Sequence, residues 1–172
     1  ILATSTNEED KKLLKIAKQN NIEGFANSLE DVLLRTFLCA KKYSLSHVVR
    51  ISGDSPLIDP NLILRLFQNI DNEIDIVTNL FPRSFPKGFS CEIIKIETLK
   101  KILDFTNDLK YREHVTNYIY DNPFSFRIVN VTSDVEIFNN KNYSVDDEKD
   151  LIFINKLYKR FGEKLFRMNV YE

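Results

Sequence analysis

The chain of 172 residues has the size of one globular domain with a real hydrophobic core. Apolar residues make up 43% and charged residues 28% of it, and the formal net charge is −1, so nothing in the charge balance favours binding to nucleic acid or to an anionic membrane. The two cysteines, Cys39 and Cys91, form no CxxC motif, and no apolar run reaches the roughly 18 to 20 residues of a membrane span. These features predict a cytoplasmic protein without nucleic-acid or membrane partners.

Strands and helices alternate along the first half of the sequence. Residues 1–4 read as a buried strand, and Asn7 can cap a helix that runs to about residue 20. Ser28 followed by Asp31 resembles a capping box and begins a second helix. The next predicted elements are a β-branched strand at 47–52, a turn at 53–56 and a helix that begins with Asp59 and Pro60.

The same alternation continues to the end of the chain. Two prolines and a glycine predict an irregular loop over 81–88. Strands that alternate with helices of this length predict an α/β fold with a mostly parallel sheet, and the absence of a Gly- or Pro-rich linker predicts one domain over residues 1–172. The remaining predicted elements are strands at 75–79, 91–96 and 126–131 and helices at 97–106, 111–121 and 147–161.

The turn from Gly53 to Pro56 follows a predicted strand, and open α/β sheets bind their ligands at that edge. Asp54 supplies a hard oxygen ligand there, Gly53 allows close approach to the backbone, and Arg50 adds a cation. The alternative is a turn in which Asp54 only accepts hydrogen bonds from nearby backbone amides. For Asp54 taken alone, the sequence leaves both interpretations open.

A second acidic cluster, residues 144–150, precedes the last predicted helix. Acidic groups in a first helical turn complement the helix dipole, so capping alone explains several of them. Asp146 stands before the helix proper and is the member of the cluster that can face a metal. Capping and metal binding both stay open for it.

Residues 111–116 combine titratable and polar groups within one predicted helical turn. His114 can act as an acid, a base or a sugar ligand, and the alternative is a partly buried helix histidine held by its neighbours. His47 begins a strand without polar company and receives no role. No P-loop, GxGxxG, HExxH or GxSxG motif occurs, so hydride transfer on a dinucleotide, zinc proteolysis and serine hydrolysis lack their usual support.

Six runs of residues occur in an order that is informative as a set. They are residues 2–7, 31–35, 49–60, 79–88, 112–120 and 145–151. Together they resemble the cytidylyltransferase family, which includes CMP-Kdo and CMP-acylneuraminate synthetases, and within it the spore-coat polysaccharide synthesis protein F group. The resemblance covers nearly the whole chain.

This resemblance implies a nucleotide-diphosphosugar-transferase-like fold with three α/β/α layers, and a homodimer. The implied reaction is attack of a hydroxyl group of an acidic sugar on the α-phosphate of CTP, which yields a CMP-sugar and pyrophosphate. Asp54 and Asp146 match the aspartates that bind Mg²⁺ in the synthetases, where the metal offsets the charge of the triphosphate and orients the nucleophile. With Arg50 they form the expected catalytic set.

The family motifs also imply a set of substrate-binding residues. Arg35 and Asn79 match positions near nucleotide or sugar, and Lys87 and Gly88 match a loop that lines the sugar pocket. The last three, Arg112, Glu113 and His114, belong to a characteristic motif whose role is left open.

The chain departs from the family pattern at three places. Family members begin with a strand and a basic, Gly-containing loop that binds the triphosphate, and the sequence that starts at Ile1 lacks both. We therefore expect an N-terminally truncated chain that is inactive by itself. Ser90 occupies a position that is usually acidic, and the proline that usually follows Asp146 before the last helix is absent.

Two other functions stay open. One is a nucleotide-sugar-dependent glycosyltransferase of similar fold, although such enzymes normally carry a DxD-type metal motif and Asp54 has no acidic companion. The other is a non-catalytic binding or assembly protein derived from the same fold, which the missing phosphate loop favours.

Overall fold

The computed structural model describes residues 1–133 and 141–171. In it the chain forms two compact units, Ile1–Val48 with Lys95–Phe126 and Val49–Ile94 with Arg127–Glu172. Each unit combines helices with strands, which confirms the predicted α/β class. The single domain expected over residues 1–172 stays a prediction. In the described ranges, no helix is both long enough and apolar enough to cross a membrane.

The secondary structure follows the predicted alternation. The strands are β1 (Leu2–Ser5), β2 (Gly24–Asn27), β3 (His47–Arg50), β4 (Ile76–Thr78), β5 (Glu92–Lys95) and β6 (Ile128–Asn130). The α-helices are α1 (Lys11–Gln19), α2 (Val32–Lys42), α3 (Pro60–Phe67), α4 (Ile96–Phe105), α5 (Leu109–Glu113), α6 (Asn117–Asp121) and α7 (Glu148–Phe161). Short 3₁₀ helices lie at Glu8–Asp10, Pro123–Ser125 and Gly162–Arg167.

The first unit is built on a parallel pair of strands, β1 and β2, joined through α1. The sequence did not predict β2, whose four residues GFAN show no clear alternation. The second predicted helix is present, but it begins three residues later than a capping box at Ser28 implies. Asp31 is the N-cap of α2: its carboxylate accepts the backbone N–H of Leu34 at 2.8 Å, and the Ser28 hydroxyl accepts the N–H of Asp31 at 3.0 Å. Asn7 precedes the first helical segment as predicted, at the N-cap position of the 3₁₀ helix Glu8–Asp10, but its side chain makes no capping hydrogen bond.

The helix predicted over 111–121 is interrupted, and this corrects the sequence-based boundary. α5 ends at Glu113 and α6 begins at Asn117, so His114 lies outside a regular helix. Val115 and Thr116 between the two helices are 0% and 5% exposed. Burial of these two β-branched side chains, which are poor helix formers, accompanies the break in the helix.

Most residues of the four-stranded sheet, whose strand order is β3-β5-β4-β6, belong to the second unit. β4 runs parallel to β6 and antiparallel to β5, and the other sheet is parallel, so the mostly parallel character predicted from the sequence is confirmed. Thr78 at the end of β4 lies opposite Glu92 at the start of β5 and Asn130 at the end of β6. These three residues therefore mark one edge of the sheet, the carboxyl edge of β4 and β6.

Two predicted helix starts of the second unit are confirmed. Asp59 caps α3 by accepting the N–H of Asn61 at 2.8 Å, and its other oxygen accepts the N–H of Val170 at 3.1 Å. Asp147 and Asp150 form a reciprocal capping box at the start of α7. The core that α3, α7 and the sheet enclose is apolar, and its buried members are Leu57, Leu62, Leu66, Val77, Phe85, Phe89, Cys91, Ile93, Val131, Ile154 and Leu165.

Candidate active site

Asp54 lies in the turn that follows β3, where its half-buried carboxylate accepts the hydroxyl of Ser55 at 3.0 Å. Within residues 1–133 and 141–171, no backbone amide donates to this carboxylate. A turn aspartate that serves only to fold its own loop bonds nearby amides. The structure therefore does not support the purely local explanation for Asp54.

A main-chain hydrogen bond joins the Asp54 turn to the segment that carries Asp146. The N–H of Val145 donates to the carbonyl oxygen of Asp54 at 2.8 Å. Asp146 is exposed, and its Oδ2 accepts the Ser144 hydroxyl at 3.0 Å and the Asn142 amide at 3.3 Å. The two carboxylate-bearing segments are thus held side by side.

Helix capping does not account for Asp146. The N-cap of α7 is Asp147, whose carboxylate accepts the N–H groups of Lys149 and Asp150 at 2.7 and 3.0 Å. Asp150 completes the box by accepting the N–H groups of Asp146 and Asp147 at 3.0 and 3.2 Å. The carboxylate of Asp146 therefore takes no part in capping α7.

The donor set fits Mg²⁺. Oδ2 of Asp54 and Oδ1 of Asp146 accept no hydrogen bond from the part of the chain that the structure describes. Two carboxylates, with waters and phosphate oxygens completing an octahedron, are the usual protein contribution to a Mg²⁺ site. No group of three or more His, Cys, Asp and Glu residues is placed to hold a metal in the described ranges.

The predicted sugar loop lies against the same segment. The carbonyl of Lys87 accepts the N–H of Tyr143 at 3.0 Å, and Lys87 forms a parallel bridge with Asn142. Gly88 has φ +92°, and a Cβ there would lie 2.5 Å from the carbonyl carbon of Tyr143. The exposed Lys87 side chain therefore belongs to the loop that packs directly on the Asp146 segment.

Two asparagines at the strand ends hold this loop. Asn79 is fully buried, and its amide donates to the carbonyl of Phe89 at 2.7 Å and accepts the N–H of Cys91 at 3.0 Å. Asn130 accepts the N–H of Phe81 at 3.0 Å and donates to the carbonyl of Pro82, also at 3.0 Å. Asn79, expected to contact nucleotide or sugar, is instead used inside the protein to shape the loop.

The predicted Arg50 has a partner that the sequence analysis missed. Its Nη1 donates to Oε2 of Glu92 at 2.7 Å, and the two side chains are 33% and 1% exposed. The only sequence signal for Glu92 is a charged residue at the beginning of an otherwise apolar strand, which is not specific. Asn130 was also missed, because a polar residue at the end of a short strand is not a specific signal either.

The other predicted residues lie in the first unit, and two of them face inward. The guanidinium of Arg112 donates to the carbonyls of Leu103 and Thr106 and to the side chains of Asn107 and Asp31, at 2.7 to 3.2 Å. Arg35 donates to the carbonyl of Ser28 at 2.6 Å. These bonds give both arginines a structural role within the first unit, which differs from the expected contact with substrate.

Glu113 and His114, which follow Arg112, are exposed on the first unit. The structure thus brings Asp54, Asp146, Lys87, Gly88 and Arg50 together in the second unit. Asn79 is also in the second unit, and the remaining predicted residues, Arg35, Arg112, Glu113 and His114, belong to the first unit.

Comparisons with known proteins found a similar solved structure and similar sequences. A solved structure described as a cytidylyltransferase from Leptospira borgpetersenii superimposes with a TM-score of 0.90 at 26% identity, covering 95% of this chain and 69% of that one. Spore coat polysaccharide biosynthesis protein SpsF of Bacillus subtilis is 29% identical over 169 residues, which are 95% of this chain and 68% of that protein.

An archaeal relative, Uncharacterized protein MJ1063 of Methanocaldococcus jannaschii, is 33% identical over 129 residues, 74% of this chain. The aligned region spans about half of that relative, 52% of its length. The sequence model of the family described as Cytidylyltransferase matches residues 1–172. The match extends over every element that builds the site, and the chain belongs to the cytidylyltransferase family.

Proposed function

We propose that the protein activates an acidic sugar with CTP for the synthesis of a surface polysaccharide, as a cytoplasmic homodimer that uses Mg²⁺. The observation that carries this proposal is the hydrogen bond between Val145 and Asp54, because it joins the two carboxylate-bearing segments into one site. The relative whose name refers to spore coat polysaccharide biosynthesis supports the choice of pathway.

In the proposed reaction a sugar hydroxyl oxygen forms a bond to the α-phosphorus of CTP. The bond from that phosphorus to the oxygen that bridges to the β-phosphate breaks, pyrophosphate leaves, and the proton of the sugar hydroxyl passes to solvent water. Bound Mg²⁺ would supply charge neutralisation for the triphosphate. Asp54 and Asp146 would hold the ion through the carboxylate oxygens that accept no bond from the described protein groups.

The cations of the second unit have separate tasks in this proposal. The guanidinium of Arg50, at the end of β3, would donate to phosphate oxygens. The exposed ammonium of Lys87 would attract the carboxylate of the sugar. Gly88 and Asn79 would act indirectly, since they set the path of the loop that carries Lys87.

A glycosyltransferase is the second candidate, and the sequence around Asp54 argues against it. Enzymes of that class normally carry a DxD-type motif with two acids two positions apart, whereas Ser52 and Pro56 stand at those positions around Asp54. A non-catalytic binding protein is the third candidate. This candidate predicts that neutral substitutions of the two carboxylates leave ligand binding unchanged.

The decisive experiment measures pyrophosphate release by the full-length gene product with CTP, Mg²⁺ and a panel of 2-keto sugar acids. We expect release with at least one of them. Asp54→Asn should lower turnover on the order of 100-fold or more, because the metal loses a charged ligand. Asp71→Asn is the matched control, since Asp71 is an exposed turn aspartate of the same unit that accepts the N–H of Glu73.

Two results would contradict the proposal. Sugar transfer from a nucleotide sugar, with no pyrophosphate release from CTP and any sugar acid, would favour the glycosyltransferase. Absence of either activity, with unchanged ligand binding in Asp54→Asn, would favour the binding protein.

A further inference from the structure

The ion pair between Arg50 and Glu92 is unusual in being buried on one side only. Glu92 is 1% exposed, whereas 33% of the Arg50 side chain meets solvent, and 2.7 Å separates Nη1 of the arginine from Oε2 of the glutamate. A carboxylate withdrawn from water is strongly disfavoured unless a cation and hydrogen bonds compensate it. Arg50 therefore satisfies Glu92 while it remains partly accessible itself.

Stability does not explain why a glutamate stands at this position. The next two residues of β5, Ile93 and Ile94, are buried and apolar, so Glu92 is a charged residue in a buried stretch of the strand. Buried ion pairs contribute little to stability compared with apolar residues of similar volume. A role in holding Arg50 accounts for the glutamate better than a role in folding.

The pair lies at the ligand-binding edge of the sheet. Arg50 is the last residue of β3, and Glu92 is the first residue of the neighbouring β5. Glu92 lies opposite Thr78, the last residue of β4. From Arg50 the chain runs directly into the turn that carries Asp54, so the guanidinium and the proposed metal ligand share one loop.

Most of the donors of Arg50 make no hydrogen bond to a protein group that the structure describes. A guanidinium has five N–H groups in a rigid planar fork. In the part of the chain that the structure describes, the one protein acceptor of that fork is Glu92. Once a single N–H is fixed on a buried carboxylate, the plane of the fork is restricted, and the remaining donors stay available to a ligand because 33% of the Arg50 side chain is exposed.

We propose that Glu92 is a positioning residue that orients the guanidinium of Arg50 for bidentate binding of an anionic oxygen pair of the substrate. This inference rests on the proposed function, in which Arg50 meets the phosphate groups of the nucleotide. Glu92 itself touches no substrate. Its effect reaches the reaction through the angle at which Arg50 presents its fork, and bidentate pairs depend strongly on that angle.

A double-mutant cycle tests the proposal. Glu92→Gln keeps the shape of the side chain but loses its charge, and we expect a fall of about 10- to 100-fold in kcat with little change in KM for the sugar, as misplacement of a reacting group produces. In the Arg50→Gln background the same substitution should change kcat by less than about twofold, because there is no guanidinium left to position.

The matched control is Glu73→Gln. Glu73 also pairs with an arginine, Arg127, in the same unit, but both side chains of that pair are mostly exposed. We expect wild-type kcat and KM for this variant. If Glu92→Gln has wild-type kinetics, or if its effect multiplies fully with that of Arg50→Gln, the positioning role is wrong.

A spectroscopic readout separates this inference from the proposed function. The Nε–Hε signal of Arg50, assigned by its loss in Arg50→Gln, should be sharp in the wild type and broadened or shifted to the free-arginine position in Glu92→Gln. An unchanged signal would overturn the proposal whether or not the protein turns over. A wild type that releases no pyrophosphate would defeat the proposed function, and the signal would still decide the orientation of Arg50.

Loss of folding in Glu92→Gln would not prevent the test. The double variant Arg50→Gln with Glu92→Gln contains neither charge, so neither member of the ion pair stays charged after the other is neutralised. The proposal predicts equal turnover for this double variant and Arg50→Gln at a temperature where both are folded. A further tenfold loss in the double variant would show that Glu92 acts by another route.

Discussion

The N–H of Val145 donates to the carbonyl of Asp54 at 2.8 Å, and this bond lies entirely in the main chain. Substitutions of the side chains at 54 and 146 therefore leave the connection between the two segments in place. Neutral variants of either aspartate report on the chemistry of the carboxylates and not on assembly of the site. The proposed metal site can be tested on that basis without measuring turnover.

Asp146→Asn and Asp147→Asn form a matched pair of neighbouring substitutions. Asp146→Asn should weaken the binding of Mn²⁺, used as a paramagnetic substitute for Mg²⁺, by about tenfold or more because the ion loses one of its two charged ligands. Asp147→Asn should bind the ion like the wild type, since asparagine is also a good N-cap. Water-proton relaxation of bound Mn²⁺ measures both affinities.

Equal affinity in the two variants would remove Asp146 from the metal site. Asp147→Ala serves as the folding control for this pair, because it removes the cap that accepts the N–H groups of Lys149 and Asp150. Its unfolding free energy should fall by about 1 kcal/mol. Its Mn²⁺ affinity should stay that of the wild type.

Gly88→Ala should destabilise the second unit and disturb the loop of Lys87. The φ of +92° disfavours any L side chain, and the added Cβ would lie 2.5 Å from the backbone of Tyr143, which cannot move away like a flexible side chain. The backbone conformation alone costs about 1 to 2 kcal/mol, and the clash adds to it. Urea unfolding measures the loss.

Gly53→Ala is the control for that substitution. No atom lies within 4 Å of a Cβ built on Gly53, so its urea midpoint should match that of the wild type. A midpoint for Gly88→Ala as high as that of Gly53→Ala would contradict the close packing of Gly88 on the segment of Asp146.

Local signals in the sequence predicted the parts of the structure that local interactions determine. Asp59 followed by Pro60, and Asp147 with Asp150, carry the chemistry of helix starts within a few residues, and the structure confirms both. The carboxylate candidates Asp54 and Asp146 were also identified. That they belong to one site was implied by resemblance to a family and not by their spacing.

The features that sequence reasoning missed depend on residues far apart in the chain. The buried charge of Glu92 is understood only when its ion pair with Arg50 is known, and Arg50 lies in another strand. The inward role of Arg112 depends on four acceptors that tertiary packing assembles. Neither arrangement leaves a periodicity or a motif in the sequence.

Arg112→Ala should destabilise the first unit strongly. The variant loses four hydrogen bonds and leaves Asp31 without its cation. The loss is costly because the side chains of this ion pair are only 14% and 25% exposed. We expect a loss on the order of 3 kcal/mol in the free energy of unfolding. Arg112→Lys should rescue it only in part, because an ammonium cannot reach the same acceptors as a planar fork.

Lys110→Gln is the control for Arg112, since Lys110 lies on the same short helix and pairs with Asp121 at the surface. Its urea midpoint should change little. If Arg112→Ala retains wild-type stability but raises KM, the residue contacts substrate as the sequence predicted, and its hydrogen bonds within the first unit are dispensable.

Cys91 should make the folded protein sensitive to alkaline pH. Burial of the thiol raises its pKa from the ordinary value of 9.0 to about 12, with the neighbouring Glu92 carboxylate acting in the same direction. The thiol of the unfolded chain ionises near pH 9, whereas that of the folded chain stays protonated. Between pH 9 and 12 the folded state therefore binds more protons, and its stability falls as the pH rises.

The measurement is the difference in urea midpoint between the wild type and Cys91→Ala across this pH range. Hydrogen bonds to carboxylates raise the pKa values of Tyr111 and Tyr158 as well, so both proteins will lose stability in alkali, and only the difference reports on Cys91. Cys91→Ala should be less stable than the wild type at pH 8, because it leaves a cavity in the core. We expect that deficit to shrink steadily above pH 9, and a deficit independent of pH would show that the thiol ionises in the folded state as readily as in the unfolded one.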